Sequence, residues 1–426
     1  MKYELDIKNE KAYDVIVVGS GPAGIAAAIT AGRLGARVLI IESCGRVGGI
    51  STAGMMSHFT GTVGNAVYEE ILNRADEKNR FKRKEKKWID PELLTLTYIE
   101  MLEEAKVEIL LYTTFCEAIM EGNTVKGIVC HSKDGFSLFC AKCFVDASGD
   151  GDLAFKSGAE YIKGREDDGK MQPATLMFKL GGVDTEHAVF PGSFETRVPT
   201  EKGELQALAS KLLPHPAGHV LLYPSTLPGI VTVNMTNVTG IDGTCAEDLT
   251  RAEIICRKQM PRIVDFLREY APGYENCYII GAGSLIGIRE TRHFKGLKTL
   301  TAADCREARQ HEDAVVFGAH FNFDVHNISG AGLDKTGCQH EFKQTKGYTI
   351  PYGCLVPEKI DALLFSGRNI SGTHMAHSNF RAMPICMGIG EAAGAAAALA
   401  ASLNLPPRAL TATQVREAME MAQTKN

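Results

Sequence analysis

The sequence predicts an α/β fold that opens on a dinucleotide-binding βαβ unit. Three features carry that prediction: an apolar run at residues 14–18, the turn Gly19-Ser20-Gly21-Pro22-Ala23-Gly24 behind it, and an Ala-rich stretch leading to a second apolar run that ends at Glu42. The first run is short and β-branched, which suits a buried parallel strand. In the turn, Gly19 permits a tight bend, Gly21 lets the backbone approach a pyrophosphate, and Gly24 lets helix and strand pack closely. The helix N-terminus then offers free N–H groups and a positive dipole end to that anion. Residues 25–34 read as the helix and residues 36–41 as the next strand. Glu42 stands near the ~20-residue offset at which such units hold a ribose with an acid. A G-x-G-x-x-G alone is a weak signal; the strand before it, the helix after it and the acid behind it make it specific. It leaves open which dinucleotide binds.

The chain's 426 residues suffice for more than one domain and a sizeable core. Hydrophobic residues at 45% and charged residues at 23% are ordinary for a globular protein. A net charge of −5 argues against a nucleic-acid partner. Twelve cysteines are scattered rather than clustered, and the N-terminal residues are polar. The expectation is reduced thiols and a cytoplasmic protein with no membrane association. Residues 392–403, the most apolar late stretch, are too few to span a bilayer, and their small side chains suit tight packing. The basic run at residues 80–87 reads as a solvated helix face.

Residues 43–61 are rich in Gly, Ser and Thr and read as a functional loop. Helices are expected at 64–80 and 91–106, the second with Pro91 at its first position after Asp90. Short strands fill residues 107–145, turned at Gly122-Asn123 and Asp134-Gly135. Residues 147–152 break that pattern, and a short helix follows. Residues 158–346 form a second region, with strands at 175–180 and 230–234 and helices at 246–270, interrupted at Pro261, and 304–311. The chain then returns to a strand, a Gly-rich loop and a Gly/Ala helix opening near Ile385.

Several segments in order resemble the FAD-dependent oxidoreductase family related to the fumarate reductase and heterodisulfide reductase A flavoproteins. They are GSGPAG with Glu42, the Gly48-Gly49 pair with Ser51 and Thr52, and FVDASGDGDLAFKSGA. IGIRETRHFKG, Asp324-Val325-His326, SGRNISGTH, Arg381 and the GIGEAAGAAAALA helix complete the set. The resemblance implies a Rossmann-like FAD-binding domain built from both chain ends (residues 1–157 and 347–426) with an inserted α+β substrate domain at 158–346. It also implies which residues meet FAD. Gly19, Ser20, Gly21, Pro22, Ala23 and Gly24 would take the pyrophosphate, and Glu42 with Ser43 the ribose. Gly48, Gly49, Ser51 and Thr52 would line the next loop, and Cys116 or Phe115 would meet adenine. Ala147, Ser148 and Gly149 would form the second turn, with Gly367, Arg368 and Asn369 by the ribityl chain. Met387, Gly388 and Ile389 would face the flavin's pyrimidine edge, where a helix N-terminus stabilises negative charge.

The implied activity is hydride transfer between flavin N5 and a small polar substrate, anionic ones included. His374 and His377 are expected as acid/base, with Arg381 and Arg292 orienting the substrate; Arg289 and His326 are further candidates. Arg292 and Glu290 could equally form a structural ion pair. His377 and Gly353 depart from the family pattern. The rival class is an electron-transfer subunit serving an iron–sulfur or thiol partner protein; an oxygenase lacks a recognisable oxygen-activating arrangement. Gly281-Ala282-Gly283 imitates a second nucleotide loop but lacks the helix behind it, and Cys140-Ala141-Lys142-Cys143 lacks the further ligands a cluster needs. No metal site is expected from the scattered histidines.

Overall fold

The computed structural model describes residues 7–79, 81, 85–337 and 346–424. Residues 80 and 82–84 of the basic run therefore lie outside the described residues. Six strands precede residue 147: β1 (Ile7–Val18), β2 (Val38–Ile41), β3 (Glu108–Leu110), β4 (Thr114–Glu121), β5 (Thr124–Ser132) and β6 (Gly135–Asp146). Three helices lie among them: α1 (Pro22–Arg33), α2 (Ala66–Glu77) and α3 (Pro91–Glu104). The sheet order is β3-β2-β1-β6-β5-β4. β1, β2, β3 and β6 run parallel, whereas β4 and β5 form an antiparallel meander on the first half of β6. A strand from the far end of the chain, Leu363–Phe365, pairs in parallel with the last residues of β6. Both chain ends thus build one Rossmann-like sheet.

The register explains why a site forms at one edge. Val18 pairs with Ile41 and with Asp146, and Phe365 pairs with Asp146. Four parallel strands therefore finish at one level, and the loops that leave them converge. Ligands of open parallel sheets bind at this carboxyl edge. The strands are buried on both faces, which their unbroken apolar runs require. The helix Met383–Leu403 packs on α1 through small residues: a Cβ at Gly390 would meet the Ala23 carbonyl oxygen at 2.0 Å, and one at Gly394 the Ala27 oxygen at 2.1 Å. This 21-residue helix is longer than the apolar stretch read from sequence, and it is long and apolar enough to cross a bilayer. In the fold, 89% of an 18-residue apolar segment of this helix is buried against protein.

A second apolar core lies in the middle of the chain. It joins the antiparallel sheet of Leu222–Pro224, Val231–Val233, Phe178–Gly181 and Tyr278–Ala282 to the helix Ala246–Tyr270. That helix runs through Pro261 without interruption, contrary to the sequence reading. Burial of Cys256, Met260, Ile263, Val264 and Leu267 outweighs a proline cost of about 3 kcal/mol. The helix read at 304–311 is shorter, Ala302–Arg306, with a capping box between Thr301 and Asp304. Two decoys resolve as well. Cys140 and Cys143 share the single strand β6 rather than flanking a turn, so their odd spacing points them to opposite faces. After the strand Tyr278–Ala282 comes no helix but the strand Arg292–Phe294, so the second Gly loop opens no Rossmann unit. The eleven described cysteines are all free thiols.

Candidate functional site

One elongated cavity of about 1230 Å³ runs along the carboxyl edge of the sheet and into the middle region. It exceeds the ~300–1,000 Å³ of drug-sized pockets, as a long cofactor plus a substrate requires. Gly19, Gly21, Pro22 and Ala23 line its first end. Gly21 caps α1 without a side-chain hydrogen bond, and no acid occupies the first turn, so the helix end presents bare N–H donors. A Cβ on Gly21 would meet nothing within 4 Å: it faces open space where an anion can approach. Gly19 has φ +95°, and a Cβ there would sit 2.5 Å from the Ala147 oxygen. A Cβ on Gly24 would lie 1.9 Å from the Gly19 oxygen.

Side chains from the predicted set brace this turn from behind. Ser20 donates its N–H and hydroxyl to Glu42 Oε2 at 3.0 and 2.8 Å. Glu42 Oε1 accepts from Cys44 N–H at 2.9 Å and from the Ser43 hydroxyl at 3.1 Å, and Glu42 and Ser43 both line the cavity. Ser51 donates to the Gly48 oxygen and Thr52 to the Val47 oxygen, each at 2.6 Å. They hold the loop that sets Gly49 on the cavity wall, but Gly48, Ser51 and Thr52 are not lining residues. Thr113, Thr114 and Phe115 line the wall beside Glu42; the Cys116 thiol turns instead to the Thr114 oxygen.

The second turn, Ala147 to Asp150, continues the lining together with Ser366, Gly367 and Arg368. Its anchor is Asp146, fully buried, whose carboxylate accepts from Ser148 N–H and hydroxyl and from Ala154 N–H. Arg368 donates to Asp150 at 2.6 Å, and buried Asn369 donates to the Asp146 carbonyl. Arg292 lies behind the same turn. It donates to the Asp150 carbonyl at 2.9 Å and to Asp152 at 3.0 Å, and it stacks 4.2 Å over Phe155. It does not line the cavity and does not pair with Glu290, so the structure makes it a brace rather than a substrate clamp. The closing helix opens at Met383, two residues before the sequence reading. The wall is therefore Ala382, Met383 and Cys386, while Met387, Gly388 and Ile389 lie deeper in the helix.

At the far end a polar group converges from four segments: Tyr223, Arg289, Asp324 with His326, and Arg381. Arg381 Nη2 donates to the Asp324 carbonyl at 2.7 Å and to its carboxylate at 2.9 Å, while its Nε is buried with no hydrogen-bond partner. His326 Nε2 lies 3.3 Å from the same carboxylate. Burial opposes the charge on Asp324, yet His326, Arg381 and Arg289 together hold its carboxyl well below the usual carboxylate range. Burial, then the charge of Arg289, pushes His326 down to about 4, so its ring is neutral at pH 7. Burial and Arg381 push Arg289 down to about 10.

His374 and His377 fall outside this group. They sit on the helix His374–Phe380, buried behind the wall, where His374 Nδ1 meets Glu290 and His377 packs edge-on against His293. Spacing along the chain put them near Arg381, but the helix turns their rings away from the cavity. Tyr223 escaped the sequence reading because no motif surrounds it; the Arg-Glu-Thr-Arg and Asp-Val-His segments did flag Arg289 and His326.

Bare helix-end donors, an acid at the end of β2, a second glycine turn and a strand from the far chain end, all around one long cavity, define a flavin-dependent oxidoreductase. The chain belongs to the FAD-dependent oxidoreductase family, whose model matches residues 14–419. It is an enzyme, and its cofactor is FAD. Among solved structures it is similar to a triple variant of the flavin-dependent brominase Bmp2, at 15% identity and a TM-score of 0.50 over 92% of this chain and 81% of that one. It is also similar to a geranylgeranyl bacteriochlorophyll reductase-like protein from Thermoplasma acidophilum, at 13% identity and a TM-score of 0.49 over 98% and 83% of the two chains. A curated thioredoxin reductase from Ureaplasma parvum serovar 3 is 33% identical over 72 residues, 15% of this chain and 23% of that protein. The match thus spans less than a quarter of that relative's length.

Proposed function

We propose that the protein is a dehydrogenase or reductase acting on a small polar, anionic substrate held against Arg289 and Arg381. The carrying observation is the charge at the far end of the cavity: two guanidiniums, one carboxylate and a neutral histidine. When bound, FAD supplies the hydride acceptor or donor at its N5 atom. Gly19, Gly21 and Ala23 would hold its pyrophosphate, Glu42 its ribose, and the loop at Gly367-Arg368 its ribityl chain. The Arg381 guanidinium, on the cavity wall, orients a substrate carboxylate or carbonyl oxygen. With its Nε2–H given to Asp324, His326 carries at Nδ1 the lone pair that takes the coupled proton. His326 and Arg289 thus take the roles expected of His374, His377 and Arg292, and Arg381 keeps its own. The position of Arg381 just before the closing helix also supports kinship with fumarate-reductase-like flavoproteins. The separate apolar core supports a division near residues 158 and 347, with the middle region closing over the substrate.

The test is anaerobic bleaching of the purified flavoprotein by a library of hydroxy and keto acids alongside neutral sugars. Acids are expected to bleach it. Arg381→Gln should lower kcat/KM at least about 30-fold with FAD content unchanged, the lower bound for truncating a buried, hydrogen-bonded charge. Bleaching by neutral compounds alone, or an unaffected variant, refutes the reading. Bleaching only by a reduced partner protein favours the electron-transfer subunit.

A further inference from the structure

Behind the cavity wall the fold gathers an acid and three imidazoles that the proposed chemistry does not use. Glu290 is 1% exposed. Its Oε1 lies 2.8 Å from His293 Nε2 and 2.5 Å from His374 Nδ1, and its Oε2 accepts the Gln172 N–H at 3.2 Å. His377, also 1% exposed, stands edge-on to His293 with ring centroids 4.5 Å apart. Ligand-capable atoms of Glu290, His293 and His377 all lie within 4.8 Å of one another. Three ring nitrogens here, His293 Nδ1, His374 Nε2 and His377 Nδ1, are buried without a hydrogen-bond partner. Buried polar atoms are ordinarily satisfied, so the orphaned His377 Nδ1 points to a missing partner; the other two orphans are the ring nitrogens turned away from Glu290.

We propose that Glu290, His293 and His377 bind a divalent transition-metal ion, zinc first among them. Two imidazoles and one carboxylate are a donor set that such ions accept, and the hard cations that prefer all-oxygen sites do not match it. Ligand atoms around an ion at about 2.0–2.2 Å stand about 3.4 Å apart in a tetrahedron, so the Glu290–His293 contact opens by about half an ångström on binding. His374 and the Gln172 N–H then orient the carboxylate from outside, as hydrogen bonds to metal ligands commonly do. None of these residues lines the cavity, so the ion does not meet the substrate. It clips the segment before and within the strand Arg292–Phe294 to the helix His374–Phe380, two stretches far apart in sequence.

The experiment uses full-length, untagged protein with FAD bound, because an affinity histidine tag would itself take metal. After loading with Zn²⁺, Co²⁺ or Fe²⁺ and passage through metal-free buffer, elemental analysis is expected to find about one equivalent per chain, and chelation should lower the melting temperature. His377→Ala and Glu290→Gln are expected to lose metal at least tenfold while keeping their FAD. Less than about a tenth of an equivalent in the wild type overturns the assignment, as does metal that persists in both variants. If the variants lose their fold, as judged by circular dichroism and flavin absorbance, X-ray absorption of the Co²⁺-loaded wild type decides. Two imidazoles in the coordination shell support the site; a shell without imidazole overturns it.

Discussion

Gly24 shows what a single position can demand. Its missing side chain leaves room for the Gly19 carbonyl, and a methyl group there would stand at 1.9 Å. Gly24→Ala is expected to push the turn off the sheet edge and cut bound FAD at least tenfold, read from the flavin-to-protein absorbance ratio; full occupancy would show that the turn does not hold the cofactor. His326→Asn tests the other end of the cavity. It should keep FAD and lose turnover by about 10²–10⁴-fold, the usual worth of an acid/base group. At this scale the glycines were legible and motifs flagged Arg289, His326 and Arg381, but Tyr223 and the directions of the His374 and His377 rings were not legible. Each glycine answers a backbone requirement within a few residues of itself. The direction of a ring or guanidinium depends on what packs behind it, so His377 faces His293 although Arg381, four residues on, reaches the cavity.

The helix Met383–Leu403 carries the same lesson to the element scale. Its Gly390 and Gly394 lie one turn apart and let the backbone of α1 approach at Ala23 and Ala27. Gly394→Leu should force the two helices apart, costing about 1–3 kcal/mol or more by urea unfolding. Ser402→Leu, at an exposed position near the end of the same helix, serves as the control, expected within about 0.5 kcal/mol of wild type. Existence and type of the long elements were readable: α3 begins at Pro91 with Asp90 accepting from Glu92 and Leu93 N–H, and Ala246–Tyr270 has the predicted bounds. Those segments carry local signals of capping and periodicity. Tertiary packing overrode the local signal at the expected break, Pro261, and at the start of the closing helix.

Across the whole molecule, buried imidazoles set an acid limit. Burial pushes His219 down to about 3 and His326 down to about 4. Above about pH 6.5 both are neutral whether the chain is folded or unfolded. Below it the unfolded chain takes up protons that the folded chain refuses. Stability therefore falls as pH drops from about 6.5 toward 4, by up to about 1.4 kcal/mol per pH unit for each histidine. Urea midpoints at pH 7 and pH 5 check this, and a flat profile in that window contradicts it. The parallel start of the sheet was legible from residues 13–42, but its completion from the far chain end followed only from the family resemblance, because pairing between distant strands such as Leu363–Phe365 and β6 leaves no local trace. That late strand has a consequence for biosynthesis. β6 leaves the ribosome long before its neighbour is made, and at about 5–20 residues per second the gap lasts on the order of tens of seconds. Throughout that interval the edge of β6 near Asp146 lacks its partner, and the helix that covers α1 does not yet exist. The sheet edge that lines the cavity is therefore complete only once Leu363–Phe365 and Met383–Leu403 have been made.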